Sequence, residues 1–104
     1  MTVISMIPPE ARTAVDRLFE LASSDTGQAR RAANFLLAWH NGADWGGFDI
    51  ADLFAIDRAV AADMATLFAF LGQHGGAIYP EAFGHQSSIE RILYQWRDLG
   101  SDEE

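Results

Sequence analysis

The chain has 104 residues, 49% hydrophobic, 21% charged and 12% aromatic, enough for one domain with a modest core and no cross-links. Fifteen acidic residues face seven basic ones, all arginine, giving a net charge of −8; such a chain repels phosphates, which argues against direct nucleic-acid binding. Cysteine is absent, which excludes disulfides, zinc–thiolate sites and thiol nucleophiles. The opening residues MTVISMIPPE lack a basic n-region and a long apolar core, so they make a poor signal peptide. No run approaches about 18 apolar residues, the length a membrane span needs. A soluble, cytosolic protein of one domain is the expectation.

Pro8-Pro9-Glu10 suits a helix start, and Ala11, Ala14, Val15, Leu18 and Ala22 then recur at helical spacing. Ser23 to Gly27 reads as a turn that also supplies caps. Gln28 to Asn41 carries Ala29, Ala32, Ala33, Leu36 and Leu37, with Phe35 and Trp39 on another side. Apolar on so much of its circumference, this helix is expected to be the central one. Asn41-Gly42 is expected to end it in a left-handed conformation, leaving Asp44 to Phe48 as a loop. A helix is predicted from Ile50 to His74, breaking near Ile56-Asp57, with Asp49, Asp52 and Asp57 in capping roles. Its stripe is Val60, Met64, Leu67, Phe68 and Leu71, and Gly75-Gly76 stops it. A connection over 77–87 leads to a cap candidate at Ser87-Ser88, then to a stripe of Ile89, Ile92, Leu93 and Trp96 closed by Gly100. The reading is an all-α, single-domain bundle of about five helices. It comprises an N-terminal extension over 1–8, the helical domain over 9–100 and a charged tail over 101–104.

Chemistry is sparse in this pattern. His40, His74 and His85 stand far apart, with no HExxH and no pair at i, i+4, so no transition-metal site is expected. Trp45 to Phe48 occupy the interval where an EF-hand would need oxygen ligands, so Asp44, Asp49, Asp52 and Asp57 read as solvated or capping groups. Ser87 and Ser88 lie near His85 without a nucleophile elbow. Gly46-Gly47 and Gly75-Gly76 lack the lysine of a phosphate loop. Neither catalysis nor a cofactor is expected. Phe19, Phe35, Phe68 and Trp96 fall on apolar stripes and read as core. Trp45 reads as either an interface aromatic or a loop residue folded over the core.

Charge is distributed unevenly. Residues 1–31 balance four acids with four arginines, whereas residues 32–90 hold seven acids against Arg58 alone. Concentrated carboxylates can steer a protein to a basic surface, although ordinary solubilising charge gives the same composition.

The stretches SDTGQARRAANFLLAW, GGFDIADL and AIDRAVAADM, with the closing QWRDL, resemble small acidic helical proteins of bacterial mobile elements, bordering a type I-F anti-CRISPR family. The resemblance covers about two-thirds of the chain and rests on packing and capping patterns, so no catalytic residue is carried over. It implies a non-enzymatic inhibitor in the host bacterial cytosol, obstructing target-DNA binding by a type I surveillance complex. On this expectation Asp44, Asp49, Asp52 and Asp63 pair with basic residues of the partner, Trp45 anchors the patch, and Glu20 and Asp25 extend it. The alternative is an antitoxin-like or regulatory module binding another basic protein. The chain is expected to be a monomer, or a homodimer should helix 28–41 be too apolar to be covered within one copy.

Overall fold

Pro9 lies in the first turn of α1 (Pro9–Ala22) behind an extended Pro8, where the missing amide has no intrahelical partner to lose. The computed structural model describes residues 7–97, and over these the chain is all-α, with four α-helices, two 3-10 helices and no strand. Residues 1–6 of the expected extension, the closing Gly100 and the 101–104 tail lie outside the described residues.

α2 (Gly27–Trp45) begins at Thr26, whose Oγ1 accepts the Ala29 amide at 3.0 Å. Thr26→Ala is expected to cost about 1 kcal/mol, read as a lower urea midpoint at unchanged m. The predicted end at Asn41 is instead a kink. Asn41 has φ −163° and ψ 85°, extended rather than left-handed, and one more helical turn follows it. Its side chain starts that turn. Oδ1 accepts the Asp44 amide at 3.1 Å, and Nδ2 donates to Asp44 Oδ2 at 3.0 Å. Asn41 thus acts as an N-cap with Asp44 three residues on, which is why the expected loop at Asp44-Trp45 is helical.

A 3-10 helix spans Ile50–Ala55 and contains no buried residue. The predicted break follows it, and α3 runs over Arg58–Gln73. Asp49 and Asp57 stand at the N-cap positions, yet neither side chain makes a capping bond. The expected caps are replaced by tertiary ties, since the Asp57 amide donates to Gln28 Oε1 at 2.8 Å and Asp52 faces Arg31. Gly75, at φ 87°, follows α3 as predicted. The 77–87 connection holds a second 3-10 helix, Pro80–Phe83. α4 (Gln86–Arg97) starts one residue before the expected Ser87-Ser88 cap.

α1 packs between α3 and α2, and α2 also meets α4. The core joins Val15, Leu18 and Phe19 of α1, Leu36 and Leu37 of α2, Met64 and Leu67 of α3, and Ile89, Ile92 and Leu93 of α4. Two tryptophans fasten its edges. Trp39 Nε1 donates to the Ile78 carbonyl at 2.9 Å, and Trp96 Nε1 to that of Ala22 at 2.8 Å. Phe68 corrects the predicted core, being 71% exposed. It lies about 100° round the helix from Leu67, and α3 has one main neighbour to bury against. Of the large apolar residues of α2, Leu36 and Leu37 are buried, while Phe35, Trp39 and Trp45 are partly buried and pack against the core.

Candidate functional site

The acids expected to form one partner-facing surface take different roles. Asp63 on α3 is 8% exposed. Its carboxylate accepts from Arg17 Nη2 at 2.8 Å and Nε at 2.9 Å, a bidentate geometry that locks α3 onto α1. The pair raises the Arg17 pKa above its ordinary value, through the hydrogen bond first and the charge second. Asp63 is therefore a structural anchor. Asp52 sits 3.5 Å from Arg31 Nε, with both side chains about three-quarters covered; this is an ion-pair contact without a hydrogen bond, since Arg31 Nε has no hydrogen-bond partner.

Glu20, Asp25, Asp44 and Asp49 are exposed. Asp25 precedes the start of α2 and Asp44 lies beyond its kink at Asn41, and the straight part of the helix between them, residues 27–40, is about 20 Å long at ~1.5 Å per residue. A single patch built from all seven predicted residues does not assemble. Trp45 is half-buried and packs against the core, while its carbonyl accepts from Arg97 Nη2 at 3.0 Å; the same nitrogen reaches Asn34 Oδ1 at 2.9 Å. The indole therefore folds over the core, as the second of the two readings has it, although from the end of α2 rather than from a loop.

A different surface emerges beside Asp49. In the 3-10 helix, Ile50 is 72% and Phe54 90% exposed, with Leu53 at 37%. This segment is tied to the rest of the fold at three points. Phe48, just before it, makes an edge contact with Phe35 at 5.2 Å, Asp52 is paired with Arg31 in its middle, and Asp57 is tied to Gln28 just after it. The apolar side chains are presented outward on an anchored backbone, between the exposed Asp49 and Asp57. Nothing in the sequence separates Ile50, Leu53 and Phe54 from a buried i, i+3, i+4 stripe, which is why they escape a reading of spacing alone.

Two other arrangements carry polar groups. A shallow groove of about 430 Å³ at the α2 kink is lined by Trp39, His40, Asn41, Gly42, Tyr79 and Glu81. Elsewhere His85 bridges α1 and α4, with Nε2 at 2.7 Å from Asp16 Oδ1, Nδ1 at 3.0 Å from Ser88 Oγ, and its ring stacked 4.3 Å from Phe19. A serine, a histidine and an aspartate in line are the parts of an activated hydroxyl. Here His85 directly precedes α4 and its carbonyl accepts the Ile89 amide at 3.0 Å, so the line fastens a helix start onto α1. None of the three residues lines the groove. Among the described residues no group of three or more His, Asp or Glu is placed to hold a metal ion, and no helix is long and apolar enough to cross a membrane.

The sequence from Arg12 to Arg97 matches the DUF7673 family, described as a family of unknown function. The chain belongs to that family. DUF7673 similarity therefore runs from the first turn of α1 through the last residue of α4 and includes the anchored apolar segment, the Arg17–Asp63 pair and the His85 bridge. No curated protein and no solved structure matches the chain.

Proposed function

We propose that this DUF7673 chain is a non-enzymatic protein-binding module that acts by occupying a partner stoichiometrically. The observation that carries the reading is the anchored 3-10 segment that holds Ile50 and Phe54 in solvent while contributing no buried residue to its own core. Exposed aromatics on a fixed backbone bind with little further ordering cost, and such residues dominate binding energy at interfaces. The flanking carboxylates of Asp49 and Asp57 give the patch a negative rim, which fits an apolar pocket bordered by arginine or lysine.

A type I surveillance complex in the bacterial cytosol, whose nucleic-acid channels are basic, is the first partner to test, on the resemblance described above. Purified complexes are incubated with the protein, recovered by affinity, and assayed for target-DNA binding. Capture with loss of DNA binding is the expected result, and Phe54→Ser should weaken capture by about thirtyfold. Asp49→Lys should weaken it at unchanged helicity. Asp52→Lys is the poorer probe, because it sets an ammonium against Arg31 inside the fold. Equal DNA binding with and without saturating protein rejects these complexes as the partner.

A further inference from the structure

We propose that the groove at the α2 kink is a binding site for a small organic amine, taken up in its ammonium form. The groove holds about 430 Å³, within the range of small-ligand sites, and two parts of the chain build it. α2 contributes Trp39, His40, Asn41 and Gly42, where the helix breaks, and the start of the second 3-10 helix contributes Tyr79 and Glu81. These two walls are tied to one another before any ligand arrives. Trp39 Nε1 donates across to the carbonyl of Ile78, the residue before Tyr79, at 2.9 Å, and the Trp39 ring meets the buried Phe83 edge-on at 5.5 Å. Gly42 leaves open space at the kink, since a Cβ there meets nothing within 4 Å. A groove fixed in this way binds with little cost of ordering its walls.

The lining selects the charge of the ligand. It includes the Glu81 carboxylate and no arginine, on a chain of net charge −8, so an anion is repelled and a cation attracted. The polar atoms left unused there are acceptors. His74 and His85 each hold a hydrogen-bond partner, and the Asn41 side chain is engaged by Asp44. Among the described residues, by contrast, none hydrogen-bonds the ring of His40, the hydroxyl of Tyr79 or the carboxylate of Glu81. A carboxylate, a phenolic oxygen and an imidazole nitrogen can all accept, and a primary ammonium has three protons to donate. The two aromatic rings of the lining add cation–π attraction and contact area for the carbon body. A quaternary ammonium would leave the acceptors unanswered, and a phosphate or carboxylate ligand would meet Glu81.

Titration of the full chain with phenethylamine at neutral pH, followed through the amide and indole N–H resonances, tests the site. Saturable shifts are expected at the Trp39 indole and the Gly42 amide, with a dissociation constant on the order of 1 mM for so small a probe. The Trp96 indole, bonded to the Ala22 carbonyl and absent from the lining, should stay fixed. Hydrocinnamate, of similar shape and opposite charge, should not bind. Glu81→Gln should weaken phenethylamine about tenfold and Tyr79→Phe about threefold. Both side chains are exposed, so the remaining resonances should report an unchanged fold. A capped glycine–lysine–glycine peptide carries the same ammonium on a polypeptide; weaker binding than phenethylamine assigns the site to a free amine, and tighter binding overturns that source. The proposal is overturned by a Trp39 indole that does not move up to about ten times the expected constant, by equal binding of hydrocinnamate, or by an affinity indifferent to Glu81→Gln. Because no protein partner is present, the outcome is independent of whether Phe54 binds one.

Discussion

Replacing Leu36 by alanine is expected to lower the unfolding free energy by about 3 kcal/mol. Leu36 is fully buried near the middle of α2, the helix that packs on both α1 and α4. Three lost carbons leave a cavity lined by residues from more than one helix, and helices locked by side-chain ties can collapse into it only partly. Arg97 to Asn34, and Trp96 to Ala22, fix α4 on the surrounding frame. A domain of this size holds about 5–15 kcal/mol in total, so the variant should lose a large share of it, visible as a reduced urea midpoint at constant m. Leu53→Ala removes the same atoms from the 3-10 helix, where the side chain is 37% exposed and belongs to a segment with no buried residue. Its cost should stay below about 1 kcal/mol. Equal losses in the two variants would mean that the core is not centred on α2.

The contrast between these leucines also marks what spacing can and cannot reveal. The faces of α1 and α4 were readable because Val15, Leu18, Ile89 and Ile92 repeat at helical intervals and each helix finds cover on that side. α3 offers an equally apolar pattern, but periodicity does not report how many neighbours a helix has, and it assigns Phe68 to a core that does not reach it. The kink was half legible. Asn41-Gly42 reads as a terminator, whereas Asn41-x-x-Asp44 also encodes a new start, and the two roles of asparagine compete locally. The candidate surface was less accessible still. Asp63 and Arg17 are 46 residues apart, and Asp16 and His85 are 69 apart. A count of carboxylates assigns all of them to solvent until the fold shows which are answered internally. Of the acids expected at the partner, Glu20, Asp25, Asp44 and Asp49 stay exposed, and Asp49 is joined by Asp57, expected only as a cap, around an apolar segment.

Gly46→Ala is expected to destabilise the protein by about 2–3 kcal/mol, although the backbone there is unremarkable. Gly46 has φ −64° and ψ 164°, a conformation open to any residue. The obstacle is space. A Cβ at Gly46 would collide with the carbonyl oxygen of Gly42, the group that accepts the Gly46 amide at 3.1 Å and closes the turn after the kink. Backbone cannot swing aside as a flexible side chain would, so relief requires opening that turn. Opening it displaces the Trp45 carbonyl from Arg97 and loosens the hold of α4 on α2. Gly42→Ala is the matched control. Nothing lies within 4 Å of a Cβ there, and alanine reduces the freedom of the unfolded chain, so this variant should gain about 0.5–1 kcal/mol. Opposite signs at two glycines four residues apart, measured by urea unfolding, are the expected signature of a turn closed by one close approach. Loss of stability in both variants would show that the turn depends on backbone freedom instead.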